Sequence, residues 1–462
     1  MTADPAPAAD LAADLLLSAT GQELLDRLAG ADVSPDRALA MSRSLREEYP
    51  PELVAAALTQ QALRMAARAK FSRAGQMLFT RAGFEQASSE LTARHATARF
   101  AGASVVADLC CGIGGNLVAL AARPISDPAA PQLLGVDADL VSLRFARHNV
   151  AVCAPAAEVG FVCADARELA LTGIDAVFID PARRDHGRRL PAGRYQPPLD
   201  WCLRLAEVVP RVGIKAAPGL DRARVPAGWE IEFVAVGREL KEALLWSPAL
   251  ASAARRATVL PTGDTLTSEM AMHPGSALHP SVSPPASISG SVVGSASVWG
   301  SASVLGSASV LGSEAVLGSE AASGSWAVPG SASAVPVAPP GAYLLDPSPA
   351  VTRAGLVTDL ALLLGAWQID PMIAFLSSNQ PLRTPFGRTM AVLHSAPWHE
   401  KLFARKLREL RIGVVDIRRR GLAGDVQQIH RRLALRGDNS ATVVITRVNN
   451  RPWGLICAPC TD

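Results

Sequence analysis

The stretch VVADLCCGIGGN, residues 105–116, decides the reading of this chain. Val105, Val106 and Ala107 lead into Asp108, an apolar run of strand length closed by a carboxylate. Gly112, Gly114 and Gly115 then crowd one turn, and Asn116 to Ala122 continues as a helix. Glycine serves where backbone must turn tightly or where a ligand lies against the main chain. The helix start beyond it offers free N–H groups and a positive end. The spacing is D-x-C-x-G-x-G-G, which departs from the dinucleotide pattern G-x-G-x-x-G. A tight strand–helix connection explains one such turn by itself, so the weight falls on what surrounds it.

Downstream the pattern alternates strand and helix, which predicts a parallel sheet covered on both faces. LLGVD (133–137), VGFVCAD (159–165), IDAVFIDP (174–181) and RVGIKAAP (211–218) read as strands. WEIEFVAVGRELKEALLWS reads as two strands joined around Gly237. Asp108, Asp137, Asp165 and Asp180 close four successive strands of this region. Ligands of open α/β sheets bind at the carboxyl ends of strands. One Asp in such a place is ordinarily a cap, but four beside a glycine turn call for a site.

These residues resemble the class I S-adenosylmethionine-dependent methyltransferases. The resemblance implies a Rossmann-like methyltransferase sheet and S-adenosyl-L-methionine as cofactor. It sets Asp108, Cys110, Gly112 and Gly114 against that cofactor and Asp137 at its ribose hydroxyls. Asp165 would face the adenine amino group, Gln86 the methionine end, and Asp180 the transferable methyl. Asp180-Pro181-Ala182-Arg183-Arg184 occupies the fourth-strand motif, so Asp180, Pro181 and Arg183 are the expected catalytic positions. Amine methyltransferases carry a second proline and an aromatic residue where this chain has Ala182 and Arg183, which puts an amine target in doubt. The D-P-A-R string resembles uracil-C5 RNA methyltransferases, but those need a cysteine at the end of the fifth strand. Here that strand ends Lys215-Ala216-Ala217-Pro218, with Cys202 on the preceding helix. Direct in-line transfer is therefore the expected chemistry.

A chain of 462 residues has room for two or three domains. Residues 1–100 read as a helical N-terminal region, and 101–262 as the methyltransferase domain. Residues 263–341 form a Gly/Ser/Ala/Pro linker without Lys or Arg, carrying hexapeptides such as LGSASV between 299 and 322. Its composition favours an unordered tether over a β-helix, which needs more coils than these repeats supply. Residues 342–462 close the chain as a small α+β C-terminal domain. Thirteen Lys and Arg against four acidic residues between 401 and 451 give that domain a basic face, a pattern suited to a polyanion. It resembles the THUMP-like domains attached to bacterial methyltransferases, and THUMP domains hold structured RNA.

RNA is accordingly the expected partner. Arg184, Arg188, Arg189 and Tyr195 on the loop after the fourth strand, and Arg418, Arg419 and Arg420, are its expected contacts. Two alternatives stay open: a methyltransferase of a protein or small molecule, and a non-catalytic cofactor-binding protein that binds RNA. The nucleotide and atom modified are not legible. No apolar run approaches a membrane span and no basic region precedes the first apolar stretch, so no membrane association is expected. Seven scattered cysteines fit free thiols and a cytoplasmic setting. Cys457 and Cys460 form a lone C-x-x-C, and His394, His399 and His430 lack ligand-spaced companions, so no metal is assigned.

Overall fold

Apolar residues at three- and four-residue spacing fold the N-terminal region into α1 (Pro5–Leu17), α2 (Ala19–Arg27), α3 (Pro35–Leu45), α4 (Pro51–Ala67), α5 (Arg81–Gln86) and α6 (Glu90–Thr97). The computed structural model describes residues 5–122, 131–182, 184–185, 188–189, 195–268, 335–433 and 435–460, with backbone alone at 5–9, 184–185 and 188–189. The hexapeptide segment and Arg183 lie outside the described residues. Leu24, Leu25, Leu53, Val54 and Phe79 form the helical core, which also takes Ile113 from the glycine turn. Burying each such side chain contributes about 1.5–3 kcal/mol.

The central sheet follows with β1 (Val105–Leu109), α7 (Gly115–Ala121), β2 (Gln132–Asp137), α8 (Leu140–Cys153), β3 (Val159–Cys163) and β4 (Ala176–Ile179). Two short strands, β5 (Arg184–Asp185) and β6 (Arg188–Arg189), pair with each other. Next come α9 (Leu199–Arg204), β7 (Arg211–Ala216), β8 (Glu230–Val236), β9 (Glu239–Trp246), β10 (Arg255–Leu260) and β11 (Asp264–Thr267). The strand order is β11-β10-β8-β9-β7-β4-β1-β2-β3. β9 runs antiparallel to both β7 and β8, so β8 again points the way of β1. Alternate residues feed opposite faces: Ala107, Leu109, Val177 and Ile179 pack on one, Val106, Ala176 and Phe178 on the other. On the second face Phe100 stands edge-on to Phe178 and Trp246, 6.0 Å from each ring centroid.

The C-terminal region forms a second sheet from β12 (Tyr343–Pro347), α10 (Pro349–Ala354), α11 (Val357–Leu364), β13 (Trp367–Gln368), β14 (Leu376–Ser378), β15 (Gly387–Pro397), α12 (Glu400–Glu409), β16 (Ile412–Arg419), α13 (Val426–Arg432), β17 (Asn439–Val448) and β18 (Arg451–Pro459). Its order is β13-β14-β12-β15-β18-β17-β16.

Several sequence expectations change in the fold. β11 falls inside the span read as linker, because Pro261 and Gly263 make the turn of a β10–β11 hairpin and not the start of a tether. Gly355, with φ of 69°, ends α10 and separates it from α11. His394 lies on β15 with its ring 5.3 Å from that of Phe403. The boundary at 342 marks a change in charge but not a gap in packing. Ala350, Val351, Leu360 and Ala361 share one core with Ile231, Phe233 and Ala257 of the first sheet. Arg353 donates to the Pro218 carbonyl at 3.0 Å, and Arg222 to that of Ala354 at 2.9 Å.

Candidate active site

The carboxyl ends of β2, β1, β4 and β7 lie side by side, because Leu109 pairs with Val136 and Ile179, and Ile179 with Ile214. The turn after β1 therefore lies between Asp137 and Asp180. Asp137 ties that turn down: one carboxylate oxygen accepts the Gly112 N–H at 2.7 Å, the other the Asp139 N–H at 2.9 Å. Burial raises the Asp137 carboxyl above its usual range, partly offset by these backbone donors. Cys110 and Gly112 both take left-handed backbone, with φ of 58° and 54°. Nothing lies within 4 Å of where a Cβ on Gly112 would stand, so this glycine faces open space. Gly114 has a different job. A Cβ there would stand 3.1 Å from the Ala146 Cβ, so its bareness lets the turn close onto α8.

Asp108 is fully buried, and neither carboxylate oxygen has a hydrogen-bond partner among the described residues. Burial, then the charges of Asp180 and Asp137, push its carboxyl well above the usual range, against the pull of Lys215 and the Leu117 amide. An orphaned polar group of this kind costs about 1–3 kcal/mol.

On the other flank, Asp180 accepts from Lys215 Nζ at 2.6 Å, and the same ammonium reaches the Gln86 carbonyl at 3.3 Å. Lys215 is a β7 residue only 7% exposed, tolerable for an ammonium that has such partners. Glu242 of β9, also buried, accepts the Ser88 hydroxyl at 3.0 Å; burial raises its carboxyl while Lys215 draws it down. Lys70 holds the same segment by donating to the carbonyls of Phe84 and Ala87 at 2.7 and 3.2 Å. Gly115 lies 3.5 Å from Ala87 by its virtual Cβ. The 84–88 turn is thus bolted between the glycine turn and Asp180.

The other expected site residues fall in three groups. Pro181 is buried directly after Asp180, whose N–H bonds the Leu109 carbonyl at 3.3 Å. Asp165 stands at the outer end of the row, but its carboxylate is occupied by the Arg167 guanidinium at 2.5 to 3.1 Å and caps its own turn. Arg183 lies outside the described residues, as do the side chains of Arg184, Arg188 and Arg189, whose backbones form the β5–β6 pair. Tyr195 is no stacking platform: it is 5% exposed within the core, and its hydroxyl accepts the Ala217 N–H at 3.0 Å. Arg420 is likewise structural, bonded to the Ala374 carbonyl at 2.9 Å and to Asp346 at 2.8 Å, with its guanidinium 4.7 Å from the Phe375 ring centroid. Arg418 pairs with Asp416 at 2.9 Å, and Arg419 is exposed.

Lys215, Lys70 and Glu242 were not expected at the site. Their signal was present in composition: with only five lysines against forty arginines, a lysine inside the apolar run RVGIKAAP stands out. Thiols offer no alternative nucleophile here. Burial pushes Cys202 up to about 12 and raises Cys110 further, away from thiolate chemistry.

A doubly covered sheet with an antiparallel β9, a glycine turn and a row of strand-end carboxylates defines a Rossmann-like transferase. Two Mycobacterium tuberculosis proteins, from strains CDC 1551 and H37Rv, are each 32% identical over 382 residues, 81% of this chain and 85% of theirs. Both are named uncharacterized S-adenosylmethionine-dependent methyltransferases. The chain belongs to that family, and S-adenosyl-L-methionine is its cofactor. A crystal structure of a candidate methyltransferase from Porphyromonas gingivalis W83 matches in fold, with a TM-score of 0.62 and 18% identity, over 93% of this chain and 99% of that one. Residues 387–459 match the THUMP domain-like family, and residues 10–67 a domain of unknown function. None of the described helices is long and apolar enough to cross a membrane.

Proposed function

We propose that this methyltransferase acts on RNA, moving the methyl group in line to a base without a covalent enzyme intermediate. The carrying observation is the basic C-terminal module. Arg408, Arg419, Arg431 and Arg436 are exposed on α12, the β16 end and α13 with its following turn, with no ion pair among the described residues. Exposed arginines without carboxylate partners suit phosphate oxygens. The match to the THUMP domain-like family over the same residues supports this reading.

The cofactor fits the carboxyl edge. The open space at Gly112 and the Asp137 carboxylate, shared between the Gly112 and Asp139 amides, suit a ligand laid along the turn. Bound there, S-adenosylmethionine supplies an electrophilic methyl on a sulfonium that leaves as a neutral thioether. Asp137 keeps lone pairs for the ribose hydroxyls while holding the turn. Gln86 adjoins the methionine end, with its backbone fixed by Lys215. Asp180 stands where an acceptor meets the methyl, orients its proton-bearing atom and takes the proton released on transfer. Lys215 fixes the direction of that carboxylate.

Asp137→Ala is expected to weaken S-adenosylhomocysteine binding by about 1.5–3 kcal/mol, the scale of hydrogen bonds to a charged group. Asp137→Asn should lose less, because it retains an oxygen for the Gly112 N–H. Equal affinities of wild type and Asp137→Ala by calorimetry would remove Asp137 from the ribose site.

The RNA reading is tested by incubating the full chain and labelled S-adenosylmethionine with total RNA and, separately, total protein from cells lacking the gene. Label is expected in RNA, and RNA binding should fall linearly with salt on logarithmic axes. Label in the protein pool alone would replace RNA with a protein substrate.

A further inference from the structure

The tip of the β8–β9 hairpin, Gly237 and Arg238, ends at the same edge of the sheet as Asp180. Asp180 follows β4, and β4, β7, β9 and β8 are successive neighbours. Three strand spacings of about 4.8 Å separate them across the sheet, and the register sets Asp180 level with Glu232, at least four residues below the tip, so Arg238 stands roughly 20 Å from Asp180.

The C-terminal sheet meets the hairpin tip at this point. Arg238 Nη2 is 4.0 Å from Asp346 of β12, a carboxylate whose side chain is 8% exposed. Arg420 holds the same carboxylate at 2.8 Å. Asp346 is also the register partner of Arg388 across the β12–β15 pair, so the two side chains share a face. Arg418, two residues before Arg420, is matched by Asp416. Burial, then the neighbouring charges of Arg418 and Arg388, lower the Arg238 pKa, with Asp346 and Asp416 opposing.

Four guanidiniums from two sheets thus surround two carboxylates. Arg420 and Arg418 take those carboxylates at close range. Arg388 has no ion pair or side-chain hydrogen bond among the described residues, and Arg238 reaches Asp346 only at the limit of an ion pair. Arg238 and Arg418 keep 52% and 37% of their side chains exposed. Gathering like charges is unfavourable unless an anion joins them, and guanidinium forks match phosphate oxygens in plane. The Arg420–Asp346 pair serves as the floor and the other arginines as the wall.

We propose that this seam binds a backbone phosphodiester of the substrate RNA, gripped from the catalytic sheet by Arg238 and from the C-terminal sheet by Arg388 and Arg418. The inference rests on the RNA reading and adds a place to it. One phosphate held at a fixed distance from Asp180 sets which nucleotide reaches the methyl, which a basic face on the C-terminal sheet alone cannot do.

The test uses the full chain and a labelled single-stranded RNA of mixed sequence, titrated at several salt concentrations. Arg238→Glu lies on an exposed turn, and its thermal transition and S-adenosylhomocysteine affinity are expected to match wild type. Its RNA affinity should fall about tenfold, and the slope of log affinity against log salt should become shallower by about one. Arg388→Gln, which sets no second carboxylate against Asp346, should also weaken RNA binding and flatten its slope, and Arg238→Lys should recover much of the loss. Wild-type affinity and slope in both Arg238→Glu and Arg388→Gln would overturn the seam while leaving the RNA reading in place. Failure of the wild-type chain itself to bind RNA at low salt would overturn both.

Discussion

Asp180→Ala is expected to reduce methyl transfer by about 10²–10⁴-fold, the range for losing a positioned acid–base group, while the affinity for S-adenosylhomocysteine stays near wild type. The separation follows from the geometry. Asp137 holds the glycine turn through the Gly112 and Asp139 amides, and neither bond involves Asp180. Asp180 instead belongs to the Lys215–Glu242–Ser88 corner. Single-turnover transfer into the accepting RNA pool measures the first quantity and calorimetry the second. Lys215→Met is the companion variant. Without the ammonium, the Asp180 carboxylate loses the donor that fixes its direction, so methyl transfer should fall in the same sense as in Asp180→Ala. Transfer by Asp180→Ala within tenfold of wild type would take Asp180 out of the chemistry.

The glycine turn and its strands are legible in the sequence because their signals are local. An apolar run ending in Asp, followed by three glycines in four residues, specifies strand, turn and helix without help from distant residues. What the sequence hides is whatever depends on register between strands far apart in the chain. Lys215 becomes a partner of Asp180 only because β7 lies beside β4. Asp346 becomes the neighbour of Arg388 only through the β12–β15 pairing.

Charge by itself also misleads about role. Arg418, Arg419 and Arg420 read as one basic triplet, yet they meet three different environments. Arg420 is folded over Phe375 and bonded to Asp346, Arg418 is paired, and Arg419 is exposed. Tyr195 reads as a loop aromatic, but it is buried and holds the backbone just beyond β7. Strand-mates and burial decide these cases, and a single sequence carries neither.

Glu232→Ala is expected to destabilise the fold by about 3–5 kcal/mol, the cost of stripping one partner from a buried ion pair. Glu232 is fully buried on β8, where it meets His95 of α6 at 2.7 Å, the Trp246 indole N–H at 2.8 Å and the Thr258 hydroxyl. Glu230, two residues earlier on the same face, pairs with Arg99 at 2.7 Å and Arg256 at 2.6 Å. Together with Glu242 and Ser88 these contacts fasten the segment from 86 to 99 across β8 and β9. Burial alone would lower the His95 pKa, but the adjoining Glu232 charge raises it above the ordinary imidazole value. Burial alone would raise Glu232, and His95 followed by Arg99 holds it well below the carboxylate range instead.

The signs give a window. The His95 contribution is complete below the unfolded imidazole pKa of about 6.5 and is lost as pH rises through the higher folded value. The Glu232 contribution is complete above the unfolded carboxyl pKa of about 4.3 and is lost as pH falls through its depressed folded value. Wild-type stability from this pair should therefore be greatest between those two pH values and decline on the alkaline side. Denaturant unfolding followed upward from the unfolded imidazole pKa of about 6.5 should show the decline in wild type and its absence in His95→Phe. Parallel curves for the two proteins would mean that His95 is not protonated in the fold. The ladder also positions the site, because Ser88 and the Gln86 carbonyl ride on the segment it anchors. Glu232→Ala examined below its melting range should bind S-adenosylhomocysteine more weakly than wild type although Glu232 itself lies behind the cofactor edge.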